Sequence, residues 1–477
     1  MPKPTISSPF ACAVALLLAL LFTSACSRNP ATGKFEALVP KQPEEVALGQ
    51  EAALSLQGVV ALYDEDELRE LLTRVGARIA STTERPGLPW TFLLVDDPTP
   101  NAFALPGGSV YVTRGLLPYL SSESELASVL AHEIAHVTAR HGVRTLQRLA
   151  HQQNRAGRSS IETHLPVLSQ VGSRGVARFL QRSRDEELLA DGIALRYLAR
   201  ANYEALALAD ALETLGTLHG GPGFEDPRTH PTTVHRRAQI HASLGRSPDE
   251  PPSDPAYLDA IDGMMFGPDP REGYFKDGAF VHPRMGFALR LPEHWTVEYR
   301  GGRAVAKNLE SDTLLTVSES RAASVRAGMN EVFLRDVGKR DPWEGRLEGH
   351  FAAMAEFSTT HEDKPIYAFV GLVEFEGKII QVVAFSTSAQ WPAKATREVF
   401  QSFTAASAAQ ENVEPMTVEI VEVAESTSLR ELYEASPSSV PLSVVARINH
   451  LDPEADLAPG QRLKRIRGFN PDFASVL

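Results

Sequence analysis

Apolar residues recur at three- and four-residue spacings over Glu44–Gln57 and again over Glu65–Ala80, which predicts two amphipathic helices. Trp90–Val95 is a short apolar run closed by Asp96-Asp97-Pro98 and reads as a strand. Pro106-Gly107-Gly108 marks a turn, and Val110–Thr113 forms a second strand behind it. The period then changes. Leu126, Val129, Leu130, Ile134 and Val137 share a helical face, opened by Ser122 with Glu125 three residues on, the pattern of a capping box. A further patterned helix carries Ser183 to Asp191. Between Arg246 and Pro270 the chain turns rich in Pro and Asp and reads as a linker. Beyond it, strand-like runs at Phe287–Leu291, Leu314–Ser318, Tyr367–Phe375 and Ile379–Phe385 alternate with a helical stretch at Val325–Val337. The last segment reads as strand Thr417–Val423, helix Leu429–Tyr433, helix Leu442–Ile448 and a closing strand.

A chain of 477 residues has room for two to four domains, and the patterning makes it α+β and multidomain. Hydrophobic residues at 43% and charged residues at 22% fit ordinary globular protein and exclude a disordered chain or a multi-span membrane protein. With 47 Lys and Arg against 60 Asp and Glu, the formal charge of -13 gives no attraction to phosphate backbones, so nucleic acid is excluded as a partner.

Both cysteines, Cys12 and Cys26, lie in an N-terminal stretch with a basic Lys3, an apolar run from Phe10 to Phe22 and the small residues Thr23-Ser24-Ala25 before Cys26. The stretch resembles a bacterial lipoprotein signal, which implies cleavage before Cys26 and lipid on its thiol. The expected divisions are signal peptide 1–25, polar tether 26–43, a catalytic domain 44–245, linker 246–275, an α+β domain 276–408 and a small module 413–467.

Candidate chemistry centres on His132-Glu133-Ile134-Ala135-His136 within the Ser122 helix. Residues four apart on a helix differ by about 40° in azimuth, so both imidazoles can grip one tetrahedral ion. Glu133 projects about 100° away, within reach of a water on that ion. Zinc brings such a water's pKa to about 7, and the carboxylate can take its proton as it attacks a carbonyl. His141 lies about 180° around a continuous helix from His132. With Ala139 and Gly142 in place of the Gly and His of the metzincin spacing, it reads as a surface histidine or one behind the site. Fifty residues on, Glu187 and Asp191 share a helix face, so that one can bind zinc while the other orients a histidine ring. Asp185 and Glu186 read as a solvated acidic patch.

Four motifs together resemble the gluzincin metallopeptidase family of HtpX and prenyl-protease type, in its soluble periplasmic, outer-membrane quality-control branch. They are Asn101-Ala-Phe-Ala-x-Pro-Gly-Gly, His132-Glu-Ile-Ala-His136 with Arg140-His141, Ser183-Arg-x-x-Glu187-x-x-Ala-Asp191, and Thr229-His230-Pro231 with Arg236. The resemblance spans about residues 44–245. It implies a mainly helical zinc-metalloprotease domain with a small edge-strand sheet and one zinc per chain. The ligands would be His132, His136 and Glu187, with Glu133 as general base and Asp191 and Arg236 behind them. His230 would stand near the metal, blocking or assisting it. The Gly-Gly strand, with Asn101, Gly107, Gly108 and Val110, would be an edge to which substrate adds in extended form.

The closing segment resembles a βααβ LysM module through Asn449-x-Leu451 and Leu457-x-Pro459-Gly460-Gln461-x-Leu463, although Ser426-Thr427-Ser428-Leu429 stands where Gly-Asp-Thr-Leu belongs. These resemblances imply a zinc metalloendopeptidase lipid-anchored on the periplasmic side of the envelope, at the outer membrane. Its substrates would be unfolded or misassembled envelope proteins, with outer-membrane assembly machinery and peptidoglycan as further candidate partners. A murein peptidase, a chaperone-like assembly factor with little proteolysis and a glycan-binding scaffold are the alternatives.

Overall fold

The computed structural model describes residues 26–37, 40–56, 60–145, 183–218, 233–244 and 254–469, apart from 293–294, 301–302, 309–310, 334–337, 362–363 and 389. The expected signal peptide, the Thr229-His230-Pro231 motif and residues 246–253 of the expected linker therefore lie outside the described residues. The chain divides into two compact units, Met1–Ile261 with Arg447–Leu451, and Asp262–Ala446 with Asp452–Leu477.

In the first unit the strands are β1 (Cys26–Arg28), β2 (Phe35–Ala37), β3 (Thr91–Val95), β4 (Ala102–Ala104) and β5 (Ser109–Thr113). The helices are α1 (Gln42–Leu56), α2 (Asp66–Ser81), α3 (Glu123–Thr138), α4 (Arg184–Arg200), α5 (Ala207–Leu218), α6 (Thr233–Leu244) and α7 (Pro255–Ile261). Every α3 residue from Glu125 to Thr138 is buried, because α2, α4, α5 and β4 pack around it. Ser122 caps it by accepting from the Glu125 amide, while the Glu125 carboxylate accepts from the Ser121 amide one residue before the position a full capping box requires.

Five described strands precede α3, not two, and three of them, where two were expected, form one sheet of order β3-β5-β4. The strand missed is β4, three residues long and buried throughout, too short to show a period. Its presence corrects the edge-strand expectation. Val110 sits in the central strand, paired with Phe92 on one side and Ala104 on the other, so it offers no free edge. Gly107 and Gly108 form the β4–β5 turn with φ of 86° and 114°, a region that disfavours any side chain. The outer strand of this sheet beside α3 is instead β4, which Asn101 directly precedes.

Helix α1 lies across that turn at backbone contact. A Cβ on Gly49 would stand 1.7 Å from the Pro106 carbonyl oxygen, and one on Gly107 would stand 2.8 Å from the Val46 Cα. Gly49→Ala should therefore lower the stability of the first unit by roughly 1–3 kcal/mol. The loss occurs despite the ~1 kcal/mol that alanine gains over glycine in a free helix. A higher melting temperature for Gly49→Ala would show that α1 does not rest on the turn.

The expected polar tether is folded. Strands β1 and β2 pair antiparallel, and Asn29 between them is fully buried. Its side-chain amide donates to the Thr138 carbonyl at 3.1 Å, and its oxygen accepts from the Ala31 amide at 2.9 Å. Thr138 closes α3, where helix carbonyls lack intrahelical partners, so a polar residue in a polar segment finds a structural use. The described end of the expected linker is also ordered, with Tyr257, Leu258 and Ile261 of α7 buried. The Tyr257 hydroxyl donates to the Leu117 carbonyl at 2.8 Å.

The second unit is built on a seven-stranded antiparallel sheet of order β12-β13-β14-β15-β11-β10-β9. These are β9 (Thr296–Arg300), β10 (Arg303–Asn308), β11 (Thr313–Glu319), β12 (Gly338–Leu347), β13 (His350–His361), β14 (Lys364–Phe375) and β15 (Lys378–Ser386). Phe369 and Val373 face a core with Phe400 of helix α9 (Ala393–Gln401), while Leu372 faces another with Val325 and Met329 of α8 (Val325–Phe333). Cover on both faces explains why the β14 sequence is nearly continuously apolar. A four-stranded sheet, β16-β8-β7-β6, is formed by β6 (Tyr274–Lys276), β7 (Ala279–His282), β8 (Phe287–Arg290) and β16 (Thr404–Ala405).

The closing segment runs β17 (Thr417–Glu422), β18 (Thr427–Ser428), α10 (Leu429–Ala435), α11 (Leu442–Ile448), β19 (Asp456–Leu457) and β20 (Arg462–Arg467). Strand β17 pairs antiparallel with β20, and β18 with β19. Ser428 caps α10 in a full capping box with Glu431. The Met264–Phe266 stretch also bonds to this segment, with the Phe266 amide donating to the Met416 carbonyl at 2.8 Å.

Candidate metal centre

Helices α3 and α4 pack side by side and bring together the side chains that the two motifs place on them. His132 and His136 project from α3 one turn apart, with their Nε2 atoms 3.0 Å from each other. Glu187 enters from the first turn of α4, its two oxygens 3.3 Å from His132 Nε2 and 3.3 Å from His136 Nε2. One ligand atom from each lies within 4.8 Å of the others, and among the described residues this is the cluster able to hold a metal ion. Two imidazoles and one carboxylate converging with a position left over match the donor set of a catalytic zinc site.

The start of α4 explains how Glu187 is aimed. Ser183 accepts from the Glu186 amide, and Glu186 returns its carboxylate to the Ser183 amide. This box fixes the first turn and buries Glu186, which is therefore a cap and not part of the expected solvated patch.

Behind the three donors, Asp191 Oδ1 accepts from His132 Nδ1 at 2.9 Å, which points Nε2 toward Glu187. Arg236 of α6 forks onto Asp191 with two contacts of 2.7 Å and reaches Glu187 at 3.0 Å. Its guanidinium is 2% exposed and Glu187 is fully buried, so these charges have exchanged water for one another.

Burial and Arg236 press the His132 pKa down, but the carboxylates of Asp191 and Glu187 outweigh them and hold it up at about 9. Burial pushes the His136 pKa well below its ordinary value, with Glu187 opposing. Burial works against the Asp191 carboxylate, yet hydrogen bonds from Arg236 and His132 keep its pKa below normal. Two imidazole nitrogens and one carboxylate oxygen that converge, with a further carboxylate holding the outer nitrogen of His132, are the donors and the outer support of a catalytic zinc site. The residues therefore fit zinc. Glu133 lies beside them on α3, 4% exposed.

His141 is neither on the surface nor on the far side of the helix. Helix α3 ends at Thr138, and Arg140 takes the left-handed conformation with φ 57°. The turn brings His141 back, fully buried, with its Nδ1 2.7 Å from His136 Nδ1. The left-handed position itself is occupied by an arginine and not by a glycine. Glu45 holds it, accepting a two-pronged contact from Arg85 at 2.9 and 2.8 Å and meeting Arg140 Nε at 3.2 Å.

On β4, the Thr113 amide donates to the Asn101 carbonyl and the Leu105 amide to the Ser109 carbonyl. By the alternation of an antiparallel pair, the backbone groups of Ala102 and Ala104 face away from β5. His230, expected near the metal, lies outside the described residues.

Residues 67–243 match Peptidase family M48. The mitochondrial metalloendopeptidase OMA1 of Schizosaccharomyces pombe is 33% identical over 182 residues, 36% of this chain and 52% of that protein. The beta-barrel assembly-enhancing protease of Escherichia coli is 30% identical over 190 residues, 36% of this chain and 37% of that protein. The OMA1 of Arabidopsis thaliana is 34% identical over 162 residues, 33% of this chain and 32% of that protein. The chain thus spans about half or less of the length of the curated relatives it matches. No helix among the described residues is long and apolar enough to cross a membrane. The match to Peptidase family M48, the metalloendopeptidases among the relatives and the cluster of two histidines and a glutamate together support a zinc metalloendopeptidase.

Proposed function

We propose that the chain is a zinc-dependent endopeptidase of the bacterial cell envelope, anchored on its periplasmic side by lipid on Cys26, which cuts misfolded or misassembled envelope proteins at the outer membrane. The observation that carries the catalytic part is the convergence of His132, His136 and Glu187 beside Glu133, inside the segment matched to Peptidase family M48. The relative named as a beta-barrel assembly-enhancing protease supports the envelope setting.

His132, His136 and Glu187 would hold the zinc, which when bound supplies a Lewis acid that polarises the scissile carbonyl and acidifies water. Glu133 takes the proton from the attacking water and passes it to the departing amine nitrogen. Asp191, clamped by Arg236, keeps His132 in the tautomer that presents Nε2. The substrate adds to β4 as an extended strand, through the outward backbone groups of Ala102 and Ala104. An unfolded chain meets that requirement and a folded one does not. His230 acts at the metal, as plug or as oxyanion partner.

Residues 413–467 are read as a LysM-like module that contacts peptidoglycan, on the strand–helix–helix–strand order with β17 beside β20. That module favours one second reading, a murein peptidase. Purified mature protein should cleave unfolded casein in a chelator-sensitive way and leave purified sacculi intact. Digestion of sacculi without casein cleavage would establish the murein reading, and no cleavage of either would leave a chaperone-like factor. Cys26→Ser protein should leave the membrane fraction, and retention there would refute the lipid anchor.

A further inference from the structure

We propose that His141 is a positioning residue that holds the His136 ring for the metal, and this rests on the zinc site proposed above. The geometry begins with the short Nδ1 to Nδ1 contact of 2.7 Å between the two rings, whose planes meet edge to face at 67°. Two ring nitrogens at that separation share one hydrogen, so one ring donates and the other accepts. His136 Nε2 is the atom that points at Glu187 and at His132 Nε2. A neutral imidazole offering Nε2 to a cation carries its hydrogen on Nδ1, so His136 is the donor. His141 accepts on Nδ1 and keeps its own hydrogen on Nε2.

The two histidines on α3 are thus steadied by different partners. His132 gives its Nδ1 hydrogen to the carboxylate of Asp191, a full negative charge. His136 gives its hydrogen to another imidazole, which fixes orientation without adding a carboxylate to a site already holding Glu133, Glu187 and Asp191. A carboxylate at position 141 would have added a further buried anion to that group. The backbone supports this reading. Only the left-handed turn at Arg140 carries residue 141 back over the helix end, and such a conformation is costly outside glycine. Glu45 meets the turn from α1 and Asn29 takes the Thr138 carbonyl, so two separate segments secure it.

The test compares His141→Leu with His141→Asn, two side chains of similar size and branching, of which only Asn places an acceptor near the Nδ1 position. Zinc affinity is measured on folded apoprotein by competition with a chromophoric chelator, and the visible spectrum is recorded after loading with cobalt. Leu should weaken zinc binding by roughly 10- to 100-fold and shift the cobalt bands. Asn should recover most of the affinity and the wild-type spectrum. Equal affinity of the Leu variant and wild type would overturn the proposal, and so would equal loss in Leu and Asn, because the pocket would then need only its shape. Should the Leu chain fail to fold, Asn decides alone, near-wild-type affinity supporting the role and a loss as large as 100-fold refuting it. Wild-type protein that bound no zinc would instead refute the metal centre itself.

Discussion

Glu133→Gln should keep its zinc and lose turnover by about 10²- to 10⁴-fold, the usual worth of a positioned general base. Glutamine preserves the size of the side chain but cannot accept the proton, while His132, His136 and Glu187 remain as they were. Glu187→Ala should lose both properties, because it removes one of three converging donors and strands the Arg236 guanidinium beside the gap. Metal content of the purified proteins and initial rates on unfolded casein separate the two effects. Casein cleavage by Glu133→Gln at the wild-type rate would end the mechanism. Full zinc content in Glu187→Ala would remove Glu187 from the ligand set.

Arg236→Met should be the variant most damaging to the apoprotein. The methionine fills much of the space, but Asp191 and Glu187 then sit buried without their cation, and breaking such a pair costs about 3–5 kcal/mol. Added zinc supplies positive charge at the same place, so it should raise the melting temperature of Arg236→Met by more than it raises that of wild type. Thermal melts of both proteins, with and without equimolar zinc, give the comparison. A smaller zinc-induced rise in the variant would mean that Arg236 serves mainly to shape the ligands and not to balance their charge.

The residues that converge on the metal site were legible because helix geometry carries them. Spacing alone puts His132 and His136 on one face, and Glu187 and Asp191 on another, while Ser122 marks where the first of the two helices starts; the Ser183 cap was not read. The same reasoning gave His141 the wrong azimuth, because a rotation along an unbroken helix has no meaning past a left-handed residue such as Arg140; of its two readings, surface or behind the site, the structure matches the second. Asn29 was hidden by its polar neighbours, since its burial depends on a carbonyl 109 residues away. In the second unit, β12 was unreadable for a different reason. Its sequence holds Lys339, Arg340, Asp341 and Pro342, composition that an interior strand rejects. It is an edge strand with a register shift between Arg340 and Trp343, where such residues are tolerated.

The fold of the N-terminal segment bears on where the enzyme can work. Asn29 is pinned to the end of the catalytic helix and stands three residues after Cys26, a span of at most ~10 Å even when fully extended. On the proposed anchor, the protease would have no leash. Its cutting site would ride at a set height above the lipid headgroups, and a polypeptide would be accessible only if its loose stretch passed at that height. Selection among envelope proteins would then be partly a matter of altitude: chains stalled at the bilayer surface fall within range, while those adrift in the aqueous space must first be brought down to it.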